Sequence, residues 1–178
     1  DPASTWFGNR DSRKESYARQ FPPRSELTDK PPDRLWLSEL LPIVTEQHKG
    51  TAKFDRSYEG NVLRLRTRPY QRGFGVRAPS AMEFSLKGKF SRLRTEYGID
   101  FEGADKVTGE RAKAEWLQFR VFGDERRLWS SEWIDWKANT APVEIDISDV
   151  DVLRLEVDGG GRRWLFGSAS WGNVQLFR

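Results

Sequence analysis

Short segments in which apolar and polar residues alternate one for one recur along most of this chain. They constrain its fold more than any other feature. In VLRLEV (152–157), Leu153, Leu155 and Val157 are spaced by two, as are Val143, Ile145 and Ile147 in VEIDI (143–147). AEWLQFRVFG (114–123) sets Leu117, Phe119 and Val121 against Gln118 and Arg120, and AMEFSL (81–86) places Met82, Phe84 and Leu86 on one face. FSRLRTEYGI (90–99) opposes Leu93, Thr95 and Tyr97 to Arg92, Arg94 and Glu96. NVLRLRTR (61–68), RRLWSSEWI (126–134), RRWLFG (162–167) and SWGNVQLFR (170–178) add further strand signals. A period of two turns one side chain in each pair inward and its neighbour outward. About eight such strands with turns between them, and no sustained helical period, predict an all-β chain, an antiparallel β-sandwich or jelly roll. Alternation, rather than unbroken apolar runs, fits sheets with one wet face.

The pattern begins only after residue 34. Residues 1–34 are polar, charged and broken by Pro22-Pro23 and Pro31-Pro32, and they read as an irregular N-terminal arm or linker anchored by Trp6, Phe7, Tyr17 or Phe21. LWLSELLPIV (35–44) reads as an extended lead-in followed by a helical turn that Pro42 stops. The sandwich is therefore assigned to residues 35–178, a length sufficient for one domain with its own core.

Composition removes several chemistries. There is no Cys and a single His, His48, so disulfides, thiolates and multi-histidine zinc sites are excluded and a His-based triad has little to draw on. The 30 basic and 27 acidic residues are intermixed, whereas a nucleic-acid binder segregates its bases into a stripe. No apolar run is long enough for a membrane span. The first residue is Asp, and no signal peptide is legible. A glycosidase needs two placed carboxylates. The suggestive pairs Glu132/Asp135 and Asp149/Asp151 read as solvated strand ends, and Gly159-Gly160-Gly161 reads as a hairpin turn rather than a phosphate loop. The expectation is a binding module and not an enzyme.

GFGVRAPSAMEFSLKGKF (73–90) resists a purely structural reading. Two glycines bracket Phe74, and Arg77 sits between this glycine-laced approach and a strand. The stretch is either a strand connection or part of a site. The polar segment 100–113, DFEGADKVTGERAK, is a long loop of the kind on which sandwich domains carry function.

Five ordered segments resemble the NPCBM domain, carbohydrate-binding module family 51, over residues 35–178. LWLSELLPI resembles the opening Tyr-Leu-Ser-Asp-Leu of that family, and FDRSYEGNVLRL (54–65) its Asp-Arg-Ser stretch. Residues 69–100 are similar to its centre, a Tyr, a Lys-Gly-Leu-Gly turn, His-Ala-x-Ser, a strand and Gly-x-Asp. LQFRVFGDERRLWSS (117–131) resembles its strand, Asp-Gly turn and strand, and SASWGNVQL (168–176) its closing Asp-His-Ala-Asp-Trp-Ala-Asp-Ala. The resemblance implies a galactose-binding-like β-sandwich. It further implies a non-catalytic module of an exported, extracellular or periplasmic protein, targeting a fused or associated glycoside hydrolase to galactose-containing glycans, often with a structural Ca2+.

Carried onto this chain, the resemblance nominates Arg77, Asp100, Trp171, Ser168 and Ser170 for carbohydrate and Asp55 with Asn173 for metal. Arg77 stands where the family has His. It keeps a donor and a flat plane but adds a fixed charge suited to a sulfated or acidic sugar, unless it pairs with Asp100 or Glu83. Asp100 is placed to accept a sugar hydroxyl, bind a cation or cap a turn. Trp171 either lines the site or supports it. Gly167, Ser168, Ala169 and Ser170 replace the family's Asp-His-x-Asp, which removes charged contacts for sugar or metal. Trp116 is read as core or sheet face, and Trp129, Trp133 and Trp136 as an aromatic rim or sheet-edge packing. The alternative function is a protein-interaction or structural sandwich that has lost sugar binding.

Overall fold

The computed structural model describes residues 24–66, 68–100, 116–161 and 168–178. The segment RRWLFG, the loop read at 101–113, and Trp6, Phe7, Tyr17 and Phe21 of the arm lie outside the described residues. In chain order the elements are β1 (Arg34–Trp36), a 3-10 turn (Leu37–Glu39), β2 (Val44–Gln47), β3 (Lys53–Phe54), β4 (Leu63–Leu65) and β5 (Arg68–Tyr70). They continue with β6 (Gly73–Arg77), β7 (Ser80–Ser85), β8 (Arg92–Ile99), β9 (Gln118–Gly123), β10 (Arg126–Ser130), β11 (Val143–Asp146), β12 (Val152–Asp158) and β13 (Ser168–Phe177).

These strands form the expected antiparallel sandwich. One sheet runs β11-β8-β13-β6-β3, with β1 also paired to β13, and the other runs β10-β9-β12-β7-β2. The alternating residues meet between them. Phe74, Phe84, Phe119, Leu93, Leu153, Leu155 and Trp171 are all at most 1% exposed. Aromatic rings join the two layers: Phe119 meets Trp171 edge-on at 5.0 Å and Phe74 meets Phe84 at 5.6 Å.

Three features depart from the sequence reading. The stretch 61–68 is not one strand but holds β4 and the first residue of β5, which pair as a hairpin, and Arg66 turns the chain at φ 55°. The glycine-laced GFGVR is itself an interior strand, β6, between β13 and β3. Finally, β13 changes parity midway. Ala169 and Trp171 point inward, but so do Val174 and Leu176. The register shifts between Gly172 and Gln175, and Asn173 adopts φ 48°. This is a β-bulge, in which an extra residue re-aims everything after it.

The glycines of β6 have a steric explanation. The outer face of the six-stranded sheet is covered by a third layer, the turn at 55–58 and the β4–β5 hairpin. At Gly75 an added Cβ would overlap the backbone of Ser57 and Tyr58. At Gly172 it would come 2.9 Å from the Tyr70 ring, and at Gly98 3.3 Å from Leu65. Leu63, Leu65 and Tyr70 form a small second core beneath the hairpin. Gly75 has an ordinary φ, so its requirement is purely one of space. We expect Gly75→Ala to cost about 1–3 kcal/mol, the usual penalty of overpacking; a chemical denaturation midpoint checks it, and an unchanged midpoint would show that the turn does not rest on β6.

Candidate functional site

Sheet register gathers four of the seven nominated residues. Arg77 of β6 pairs with Ser168 of β13, and the Asp100 N–H, just past the end of β8, donates to the Ser168 carbonyl at 2.9 Å. Arg77 and Asp100 thus flank Ser168 across three adjacent strands. One row further, Ser170 lies between Gly75 and Gly98, and its hydroxyl donates to Asp100 Oδ2 at 3.5 Å. All four lie on the outer face, because their neighbours Val76, Ala169 and Ile99 point into the core. The covering layer reaches this cluster through Tyr58, whose ring centroid is 5.4 Å from Arg77 Cζ, within range of a cation–π contact. Tyr58 was not singled out from the sequence, since only the turn laid over Gly75 brings it near Arg77.

Exposure assigns roles within the cluster. Ser170 is 0%, Asp100 2% and Ser168 6% exposed, while Arg77 is half-buried. Arg77 is therefore the most exposed member of the four; the two serines and Asp100 form the layer behind it. Trp171 needs correction as a ligand-stacking residue. At 1% exposure its indole packs against Phe119 between the sheets and presents no face outward. It supports the cluster from the core side.

Glu83 is not the partner of Arg77. It lies on the other sheet, where Arg154 Nη1 donates to its Oε1 at 2.8 Å. Beside the Arg77 end runs an open groove of about 450 Å3 between β2 and β12, bordered by Glu46, His48, Pro79, Glu156 and Asp158. It connects to Arg77 through Gln47, whose Oε1 accepts from the Arg77 N–H at 3.3 Å. The aromatic rim is divided. Trp129 packs on Tyr97 at 4.9 Å and Trp136 leans on the core, whereas Trp133 is 39% exposed. Trp116, read as core or sheet face, is 49% exposed and is not a core residue.

The residues nominated for calcium do not fit a metal. Both Asp55 oxygens are engaged: Oδ1 accepts the Gly73 N–H at 3.0 Å and Oδ2 accepts from Arg72 Nη1 at 3.1 Å. The Arg72 guanidinium also donates to Glu39 Oε1 at 2.8 Å, so a side-chain cation already stands between the two acids. The Asn173 N–H donates to the Arg72 carbonyl, and its side chain borders a different cavity. Calcium wants 6–8 oxygens, and among the described residues no group of three or more metal-binding side chains converges.

Arg72, Asp55 and Glu39 have side chains only 12%, 9% and 22% exposed. Removing the cation would leave two poorly solvated carboxylates side by side. We expect Arg72→Ala to cost about 3–5 kcal/mol, with Arg72→Lys losing less, and a calcium chelator to leave the wild-type melting midpoint unchanged. A midpoint that falls with the chelator would reinstate a metal.

The NPCBM/NEW2 domain family matches residues 33–177. No curated protein matches the chain. Among solved structures, the CBM51-2 and INT domains of Clostridium perfringens ZmpB, also solved in complex with GlcNAc, are 21% identical with a TM-score of 0.73. That likeness covers 82% of this chain and 31% of the other, so the chain spans less than a third of that structure. The CBM51 of C. perfringens GH95 in complex with methyl-galactose is 25% identical, with a TM-score of 0.69, and covers 80% of this chain and 99% of that one. The tandem CBM51 modules of Sp3GH98 from Streptococcus pneumoniae are 17% identical, with a TM-score of 0.67, over 88% and 52%.

Proposed function

The chain belongs to the NPCBM/NEW2 domain family, and from that premise we propose that it is a non-catalytic module binding galactose-containing or acidic glycans at the end of the sandwich marked by Arg77. The observation that carries this is the convergence of Arg77 and Asp100 on either side of Ser168, on the outer face. A guanidinium held against the Tyr58 ring offers forked donors to hydroxyl, carboxylate or sulfate oxygens, and buried Asp100 and Ser170 shape the wall behind it. The methyl-galactose complex of the GH95 module and the GlcNAc complex of the ZmpB module supply the ligand class. The fixed charge of Arg77 favours anionic sugars over neutral ones.

The chain itself carries no catalytic activity in this reading. Its work is to hold an attached or associated glycoside hydrolase or protease near its glycan, as the contexts of the similar structures suggest. Such a module acts outside the cell or in the periplasm. Among the described residues no helix is long and apolar enough to cross a membrane.

Titration calorimetry with methyl-galactoside and a 6-sulfated galactoside tests the site. We expect Kd values in the micromolar-to-millimolar range, roughly −4 to −8 kcal/mol, with the sulfated sugar bound more tightly. Arg77→Ala should weaken the sulfated sugar at least about tenfold, the scale of one lost charge-assisted hydrogen bond, without altering the melting midpoint. If neither sugar binds, or if Arg77→Ala binds both unchanged, the site is not here.

A further inference from the structure

The far half of the same outer face holds a second constellation that the Arg77 site does not use. Strand register places Trp36 of β1 opposite Gln175 of β13, and Gln175 opposite Arg94 of β8. The residues beside them in each strand, Leu35, Leu176 and Leu93, pack into the core, so this row of three points outward. The next outward position on β8 is Glu96, and the bulge in β13 brings Asn173 to the same place. Together with Arg68 of the hairpin they border a cavity of about 210 Å3. Along β13, Gln175 lies roughly 20 Å from Ser168, at about 3.3 Å per residue.

Glu96 is the unexplained member. It is 8% exposed, and its Oε2 is buried without a hydrogen-bond partner. Its other contacts are the Arg68 guanidinium, 3.7 Å from Oε1, and the Tyr70 hydroxyl. Burial, then the hydrogen bond to Glu96, hold the Tyr70 hydroxyl well above its ordinary pKa, so it remains a donor. A buried acceptor with no donor is costly, and native structures seldom leave one unmet.

We propose that this cavity is a second sugar subsite, taking one neutral pyranose ring. A sugar hydroxyl donates to Glu96, while Arg94, Gln175 and Asn173 donate to other oxygens of the sugar and Trp36 lies against its apolar face. The two guanidiniums outnumber the one carboxylate, which disfavours a metal ion or a sugar bearing a free, protonated amine. The volume lies below the roughly 300–1,000 Å3 of clefts that take larger ligands, which fits a single terminal ring. Two subsites on one face would let the module grip a branched or densely displayed glycan at both ends, raising avidity without tighter single contacts.

This inference rests on the chain being a sugar-binding module, and the experiment separates the two. Methyl-galactoside and N-acetylglucosamine are titrated into the isotope-labelled protein, following the Trp36 indole N–H and the Asn173 and Gln175 side-chain amides by NMR. We expect at least one of the sugars to shift these signals saturably. Glu96→Gln and Trp36→Ala should each weaken that binding about tenfold or more, while Arg77→Ala leaves it unchanged. Shifts confined to the surroundings of Arg77 would overturn the second subsite and leave the first standing. Shifts nowhere would overturn the second subsite, while the first would still stand or fall on the sulfated galactoside. Saturable shifts of the Asn173 and Gln175 amides that survive Glu96→Gln and Trp36→Ala in folded protein would also overturn the second subsite.

Discussion

The contact of backbone on backbone at Gly75 is the constraint from which the rest of this outer face follows. A β-sandwich ordinarily leaves the outer faces of its sheets to water. Here the turn at 55–58 lies so close to β6 that a single methyl group would not fit between them. Gly98 and Gly172 admit Leu65 and Tyr70 in the same way. The third layer this creates has no thickness of its own to bury much apolar surface, and it depends on glycines in the sheet below and on three side chains of its own, Leu63, Leu65 and Tyr70. It also divides the face in two, leaving Arg77 at one end and the Trp36 row at the other.

Charge locks what packing alone would leave loose. Arg72 ties the turn at Asp55 to the 3-10 turn at Glu39, joining segments far apart in sequence beside the start of β6. The opposite sheet uses the same device differently. Glu83, Arg154, Glu156, Arg120 and Asp158 form a chain of ion pairs across β7, β12 and β9, with opposite charges in cross-strand register. Being partly exposed, these pairs specify register more than they stabilise. These paired charges thus help to hold strands in place.

The legible part of the fold was the part governed by period two. VLRLEV and AMEFSL form β12 and β7 within a residue of where alternation placed them. The illegible part broke that period for tertiary reasons. β6 hid because three of its positions face a covering layer or a crossing backbone rather than water or core, so two are glycine and its pattern looks like a loop. The bulge in β13 hid because SASWGNVQLFR alternates on both sides of a shift that only the partner strand β8 reveals. The candidate site followed the same division. Arg77 and Asp100 could be nominated by motif, whereas Tyr58, Trp36 and Glu96 carry no local signature and acquire meaning from register.

By itself, the sequence determined an all-β sandwich, the absence of thiol and multi-histidine chemistry, and the residues most out of keeping with their surroundings. These are properties of composition and of neighbours two apart, and they need no knowledge of where strands meet. Which side chains share a face, that Trp171 supports the cluster from the core instead of meeting a ligand, and that Arg72 occupies the position of a cation beside Asp55 were decided only in three dimensions. Each depends on pairing between segments tens of residues apart, and a chain does not record its own register in local pattern once glycines and a bulge intervene.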